Sequence, residues 1–350
     1  MSEEALEKTI GVIGTGNFGI ALANLIAENH QVLLYARRPE VVDQILSERF
    51  YAGQKVNASI RPTHDLQEVA DTCTLIFPTV PSAFFGDMIK NIAPYLRPEH
   101  ILIHGTKGFN VRLQAGESLE NLSTLTRGQI RTMSELIREE TPVLRIGCIS
   151  GPNLAIELSQ HLPAGTVIAS RFNEVIRLGI KTLRSERLQV FGSHDLTGVE
   201  LAGVLKNIIA IGSGAVTGMQ LGENARALFI TRSLSEITRL GIALGGDVKA
   251  FLGLAGIGDI IATASSPYSR NYTVGMRLAQ GESLQQIIAT SDEVAEGINT
   301  VRISKLLADH YKVRAPILNS IYRVLFHGMS TREAVEYLMK YPFKGDVDFL

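Results

Sequence analysis

The 350-residue sequence has no tryptophan and only two cysteines, Cys73 and Cys148, both in apolar stretches that read as buried strands. So little cysteine excludes a disulfide-framed secreted scaffold or a thiolate metal centre, and it suits a reducing cytoplasm. The eight histidines are scattered and form no H-E-x-x-H run, so no metal is expected. Excess charge of one sign is missing too: 34 Lys and Arg oppose 35 Asp and Glu, which excludes a broad basic face for nucleic acid. The opening "MSEEALEKT" is acidic, and the apolar run behind it is too short and glycine-rich for an export signal. Residues 201 to 218 are apolar enough to suggest a membrane span, but Lys206 and Asn207 would then lie mid-membrane. A lysine there costs about 2.5–3.5 kcal/mol, so no span is expected.

Against these absences stand 45% hydrophobic residues and 32 glycines, in a length that suits two domains of roughly 150 residues each. Residues 9 to 37 read as strand, glycine turn, helix and second strand, a βαβ unit. Apolar runs recur at 73 to 80, 101 to 106 and 145 to 151, each leading into turn chemistry, and "TVIAS" and "LQVFGS" supply the far edge. Such runs between helices predict a parallel sheet covered on both faces. Between Phe109 and Val143 a charged segment places Ile130, Met133, Leu136 and Ile137 at helical spacing, which predicts one crossover helix behind a long approach loop. After about residue 193 strand signals nearly vanish, and helical patterns occupy 195 to 240, 283 to 309 and 314 to 340. The expected fold class is α/β, an N-terminal Rossmann-type doubly wound sheet with an all-helical C-terminal domain. Residues 1–192 form the dinucleotide-binding domain and residues 193–350 the substrate-binding and catalytic domain.

"GTGNFG" sets Gly14, Gly16 and Gly19 in G-x-G-x-x-G spacing between a strand and a helix. The first glycine permits the tight turn, the second lets backbone approach a pyrophosphate, and the third lets the helix pack on the sheet. The second strand runs into "LYARRPE", with Arg37 and Arg38 where an NAD site carries an acidic residue for the ribose hydroxyls. Two guanidinium groups suit a 2′-phosphate, which predicts that NADP(H) is accepted. The alternative is that one stacks on adenine and the other is solvated.

"VELAGVLKNIIAIGSGAV" contains a single lysine, Lys206, with Leu201, Val204, Leu205, Ile208, Ile209 and Ile211 covering nearly the whole helix around it. Burial disfavours an ammonium, which is how a lysine becomes an acid or base near neutrality; the alternative is a stem that snorkels to water. "FLGLAGIGDIIATASSPYSRN" places Asp259 after two glycines, Thr263 one helical turn later, then Ser269, Arg270 and Asn271. Asp259 suits a counter-ion for Lys206 or a helix cap. Arg270 with Asn271 suits a phosphate clamp, or Arg270 is a solvated loop charge.

Taken together, "GVIGTGNFGIALA", "HGTKGF", "SGPNLAIEL", the Lys206-Asn207 block, "GLAGIGDIIATASSPYSRN" and "VAEGINT" resemble, in order and over nearly the whole chain, the signature blocks of the NAD(P)-dependent sn-glycerol-3-phosphate dehydrogenases of the soluble bacterial type. The resemblance implies reversible hydride transfer from NADP(H) and/or NAD(H) to dihydroxyacetone phosphate, for glycerophospholipid synthesis. It implies Lys206 as proton donor and acceptor at the C2 oxygen, with Lys107 and Asp259 completing the catalytic set. Substrate contacts are implied for Lys107, Gly151, Asn153, Lys206, Asn207, Asp259, Ser269, Arg270 and Asn271, the phosphate falling to Arg270 and Asn271. Cofactor contacts are implied for Gly14, Gly16, Asn17, Phe18, Gly19, Arg37, Arg38, Lys107, Ala155, Arg270, Val294 and Glu296. The implied partners are a phosphorylated triose and a second copy in a homodimer, in the cytoplasm and without nucleic acid. Two departures stand out. The 109 to 143 segment is longer than the family pattern, and His104 stands before "GTKG" where a small or apolar residue is expected; it reads as structural.

Overall fold

The computed structural model describes residues 9–114, 116–291, 295–343 and 345. By their contacts these form two compact units, one holding the chain up to Asn110 with Thr132–Leu196, the other Val111–Arg131 with the chain from Thr197 onward.

The first unit is built on an eight-stranded sheet. From edge to edge its strands are Leu188–Ser193, Ala164–Ser170, Arg145–Ser150, Ile101–His104, Leu75–Pro78, Thr9–Ile13, Gln31–Tyr35 and Ile60–Thr63. Side chains alternate across a strand, so Ile10 and Val12 enter one buried layer and Ile13 the other; Leu34, Phe77 and Ile103 join the first layer, Leu33, Ile76 and Leu102 the second. Burial on both faces is why these strands read as continuous apolar runs rather than alternating ones. Ile60–Thr63 has no such signature, because Pro62 is tolerated only on an edge strand.

Three local expectations are corrected. The sheet is not wholly parallel: Ala164–Ser170 runs antiparallel to Arg145–Ser150 and then parallel to Leu188–Ser193. The link between the antiparallel pair carries only the five-residue helix Ala155–Ser159, too short to cross the sheet face and restore direction. Cys73 caps the helix Leu66–Thr72 instead of lying inside a strand. Like Cys148 it is buried and joined in no disulfide, and burial pushes the Cys73 thiol up to about 12, so it stays protonated at neutral pH. The crossover helix is shorter than expected, Met133–Glu140, opened by a reciprocal Thr132–Glu135 capping box. Met133, Leu136 and Ile137 are buried on it, whereas Ile130 sits in the short strand Ile130–Arg131.

The second unit is helical. Its segment 111–131 is held by Arg127, whose Nε donates to the carbonyl of Leu244 at 3.1 Å, while its backbone N–H donates to the Tyr311 hydroxyl at 3.1 Å. Leu244 is the C-cap of the helix Glu223–Ala243, so the guanidinium meets the negative end of a helix dipole. The helix Leu196–Gly218 is, among the described residues, long and apolar enough to cross a membrane, yet 94% of its most apolar window is buried in the fold. It packs backbone to backbone on the helix Arg270–Ala279: a Cβ on Gly214 would lie 2.0 Å from the Tyr272 carbonyl oxygen, and one on Gly275 1.8 Å from that of Ile211.

A buried carboxylate closes another helix end. Glu236, 3% exposed, accepts the backbone N–H groups of Ile317 at 2.9 and 3.0 Å and of Leu318 at 3.1 Å. These are orphan donors of the helix Pro316–Phe326, whose Pro316 brings no N–H. Burial pushes the Glu236 carboxyl up to about 7, outweighing the lowering by these donors and by Arg239 and Arg232. A carboxyl raised on folding stabilises the fold fully below its unfolded value, and the contribution is lost as pH rises through the folded one. With the ordinary value at 4.5 and the folded one at about 7, the loss is on the order of 3 kcal/mol. Thermal melts between pH 4.5 and 8 are expected to show this decline in the wild type and not in Glu236→Gln, which accepts but cannot ionise. Parallel curves would contradict it.

Candidate active site

On the sheet unit, the glycine turn is shaped for an anion. Gly14 has φ +119, a conformation other residues rarely adopt. A Cβ on Gly19 would lie 2.1 Å from the Gly14 carbonyl oxygen, whereas one on Gly16 would meet nothing within 4 Å. The third glycine thus seats the helix and the second leaves open space. The helix Asn17–Ile26 begins with no side-chain cap, so its first N–H groups stay available to a ligand, as a pyrophosphate site requires. These residues fit a dinucleotide. Phe18 stands against Gly105, where a Cβ would meet its ring at 2.7 Å, and the Gln54 side chain donates to the Asn17 carbonyl at 2.8 Å.

Arg37 and Arg38 are both exposed, but not equivalent. Arg37 lies 5.7 Å from the centroid of the Phe84 ring, and Arg38 donates to the Tyr51 hydroxyl at 3.3 Å. Lys107 Nζ donates to the Gly151 carbonyl at 3.3 Å, and Gly151 has φ +147, with a Cβ excluded at 3.1 Å by the Gly165 carbonyl oxygen. Asn153 donates to Thr166 Oγ1 at 2.8 Å, and Ala155 opens the helix Ala155–Ser159. Lys107, Gly151 and Asn153 are thereby gathered at the carboxyl ends of Ile101–His104 and Arg145–Ser150, where doubly wound sheets bind ligands. His104 is 1% exposed, with Nε2 at 3.1 Å from Ser134 Oγ and its ring edge-on to Phe85.

On the helical unit, Lys206 is 7% exposed and Asp259 2%. The Lys206 ammonium donates to Asp259 Oδ1 and, at 2.6 Å, to Thr263 Oγ1, which itself donates to Asp259 Oδ1 at 3.1 Å. A buried ammonium is tolerated only with such pairing, because the Coulomb gain and the bonds offset desolvation. The counter-ion reading of Asp259 therefore holds geometrically, and Asp259 also opens the helix Asp259–Ala264. A π-helical turn over Leu254–Gly258 precedes it, made possible by Gly256, whose Cβ would lie 2.0 Å from the Phe251 carbonyl oxygen. Thr263 is a member of the cluster that sequence reasoning left out of its site; the signal was its i,i+4 spacing from Asp259.

Ser269 caps the helix Arg270–Ala279 by accepting the Tyr272 N–H at 3.3 Å, which leaves Arg270 exposed on the first turn. Asn271 donates to Asn207 Oδ1 at 2.9 Å and accepts the Gly297 N–H at 2.9 Å. Glu296 is half-buried at the start of the helix Glu296–His310. Val294 lies outside the described residues. Lys206, Asn207, Asp259, Asn271 and Thr263 thus form buried contacts in one unit, while the glycine turn and Lys107 belong to the other. Among the described residues no group of three or more His, Cys, Asp or Glu converges as metal ligands would.

Comparison with known proteins agrees with both units. Residues 9–176 match the family model described as NAD-dependent glycerol-3-phosphate dehydrogenase N-terminus, and residues 195–336 match its C-terminus. The glycerol-3-phosphate dehydrogenase [NAD(P)+] of Ectopseudomonas mendocina is 40% identical over 346 residues, 97% of each chain. That of Pseudomonas aeruginosa strain LESB58 is 38% identical over 349 residues, 98% of each chain. Among solved structures, glycerol-3-phosphate dehydrogenase from Coxiella burnetii superposes with a TM-score of 0.85 at 29% identity, covering 96% of this chain and 100% of its own.

Proposed function

The chain belongs to the NAD-dependent glycerol-3-phosphate dehydrogenase family, and on that premise we propose that it reduces dihydroxyacetone phosphate to sn-glycerol 3-phosphate, the backbone of glycerophospholipids. It is an NAD(P)-dependent oxidoreductase. The observation that carries the substrate reading is the buried Lys206–Asp259–Thr263 cluster, linked through the Asn207–Asn271 hydrogen bond to the capped helix N-terminus that bears the exposed Arg270.

Bound NAD(P)H supplies the hydride for C2 of the substrate. The turn formed by Gly14, Gly16 and Gly19, open at Gly16, would hold its pyrophosphate, with Asn17 and Phe18 alongside, Arg37 and Arg38 at the ribose end, and Ala155 and Glu296 as further contacts. Arg270 grips the substrate phosphate, and the N–H groups of the helix it begins share the dianion. Lys206 stands at the C2 oxygen. As negative charge develops there, the ammonium donates a proton, and the oxygen becomes a hydroxyl; in reverse the neutral amine takes that proton back. Asp259 and Thr263 hold the ammonium in one orientation, so little reorganisation is needed when the proton moves. Lys107 adds positive charge, and Gly151, Asn153, Asn207, Ser269 and Asn271 complete the surroundings. In this reading residues 1–192 are the dinucleotide-binding domain, which also supplies Lys107, Gly151 and Asn153 to the substrate, residues 193–350 are the substrate-binding and catalytic domain, and the protein works as a cytoplasmic homodimer.

A rival substrate class is an unphosphorylated keto acid such as ketopantoate, which would not need an arginine on a helix N-terminus. Initial rates with NADPH are expected to give a kcat/KM for dihydroxyacetone phosphate at least about a thousandfold above that for ketopantoate, since charged hydrogen bonds to phosphate are each worth about 1.5–3 kcal/mol. A preference for the acid would overturn the assignment.

A further inference from the structure

A side-chain amide has two ends of similar shape and opposite polarity, and only its partners reveal which is which. The contacts of Asn207 and Asn271 resolve both. The N–H of Gly297 can only donate, so the end of Asn271 that meets it at 2.9 Å is the oxygen. The other end of Asn271 is then the NH2 group, and it donates to Asn207 at 2.9 Å, which makes that end of Asn207 its oxygen. The remaining end of Asn207 is therefore an NH2 group, and Asn207 makes no other side-chain hydrogen bond among the described residues. Asn207 is 5% exposed and Asn271 9%, so water competes weakly for these bonds.

The backbone donor that starts this chain is itself an orphan. Gly297 is the second residue of the helix Glu296–His310, whose N-cap, Ala295, has no side chain to bond it. Asn271 serves as that missing cap from another helix. The positive end of the helix dipole then polarises both amides in one direction, toward a stronger donor at Asn207. Gly297 is also shaped for the contact: a Cβ there would lie 2.5 Å from Asn271 Oδ1, 2.9 Å from its Cγ and 3.0 Å from Ile211 Cδ1.

We propose that Gly297 is a positioning residue for substrate binding, its N–H setting the polarity of an Asn271–Asn207 amide relay that presents a donor to an oxygen of the phosphorylated substrate. This rests on the reading of Asn207 as a substrate contact. The relay also joins the segment bearing Glu296 to a substrate residue through two hydrogen bonds.

The test is Gly297→Ala in the full chain, with kinetics at saturating NADPH, NADPH affinity from nucleotide fluorescence, calorimetric binding of sn-glycerol 3-phosphate to the NADH-bound protein, and a thermal melt. Loss of one well-oriented bond to a charged ligand is expected to raise KM for dihydroxyacetone phosphate and weaken sn-glycerol 3-phosphate by at least about tenfold. NADPH affinity is expected to stay within about twofold and kcat within about threefold, since uniform substrate binding is what is lost. An unchanged KM, or an equal loss of NADPH affinity, would overturn the relay. Asn207→Asp provides a second reading if the alanine variant does not fold. It still accepts the bond from Asn271 but has no donor, so a tenfold or larger rise in KM at unchanged melting temperature supports the relay, and an unchanged KM overturns it. If the wild type itself fails to reduce dihydroxyacetone phosphate, the substrate reading falls; if it succeeds and Gly297→Ala behaves like it, only the relay does.

Discussion

Lys206→Ala is expected to lower kcat by about three orders of magnitude while NADPH affinity stays within about twofold, because a positioned proton donor and the positive charge it brings both vanish from the reacting oxygen. The size follows from the surroundings. Lys206 is 7% exposed and its ammonium donates to Asp259 and to Thr263 Oγ1, so bulk water has little access to take over its orientation. The same variant leaves the Asp259 carboxylate buried without its main counter-charge, which costs about 3–5 kcal/mol of stability. A melt must therefore accompany the kinetics, and rates belong well below the variant's melting temperature. Asp259→Asn keeps the shape but leaves the buried ammonium without its counter-charge, so a comparable loss of stability is expected together with slow turnover, since a neutral amide orients the ammonium less firmly. Near-wild-type kcat in Lys206→Ala would remove the lysine from the chemistry.

Arg270→Ala is the second large effect. Its guanidinium stands on the first turn of the helix Arg270–Ala279, where Ser269 already caps one N–H and the remaining donors and the dipole favour an anion. Removing it is expected to lower kcat/KM for dihydroxyacetone phosphate by about a thousandfold, mostly through KM, given two charge-assisted bonds of about 1.5–3 kcal/mol each. Arg270→Lys is expected to recover only part, because an ammonium is a point charge and cannot make the planar two-pronged contact. Inhibition by inorganic phosphate should weaken in parallel with the loss of substrate affinity. If phosphate inhibition and KM both stay unchanged, the phosphate lies elsewhere.

Much of the fold was legible because the strongest signals are local. The strands Thr9–Ile13, Leu75–Pro78 and Ile101–His104 are doubly buried and read as unbroken apolar runs, and the glycines at 14 and 19 answer a positive φ and a close backbone contact, while Gly16 leaves open space. The reversal at Ala164–Ser170 was not legible, since strand direction depends on the route of the connection and not on the strand's own residues. Nor was the attachment of residues 111–131 to the helical unit, which turns on one arginine reaching a carbonyl 117 residues away. The site divides the same way. An ammonium among apolar residues at 206 announces itself, and a carboxylate after two glycines at 259 is a natural partner. Thr263 carries no such anomaly, because a threonine on a helix is ordinary until its hydroxyl is seen 2.6 Å from Lys206 Nζ. Gly297 is the least visible: its contribution is a backbone N–H, which every residue but proline has, and only the absent Cβ distinguishes it.

The most direct measurement is the loss of absorbance at 340 nm when dihydroxyacetone phosphate is added to the wild-type protein with NADPH, and in parallel with NADH. Oxidation of the nucleotide in step with formation of sn-glycerol 3-phosphate is the expected result, with NADPH used at least a tenth as efficiently as NADH if Arg37 and Arg38 receive a 2′-phosphate. No oxidation of either nucleotide, while NADPH still binds, would contradict the assignment of substrate to Lys206 and Arg270.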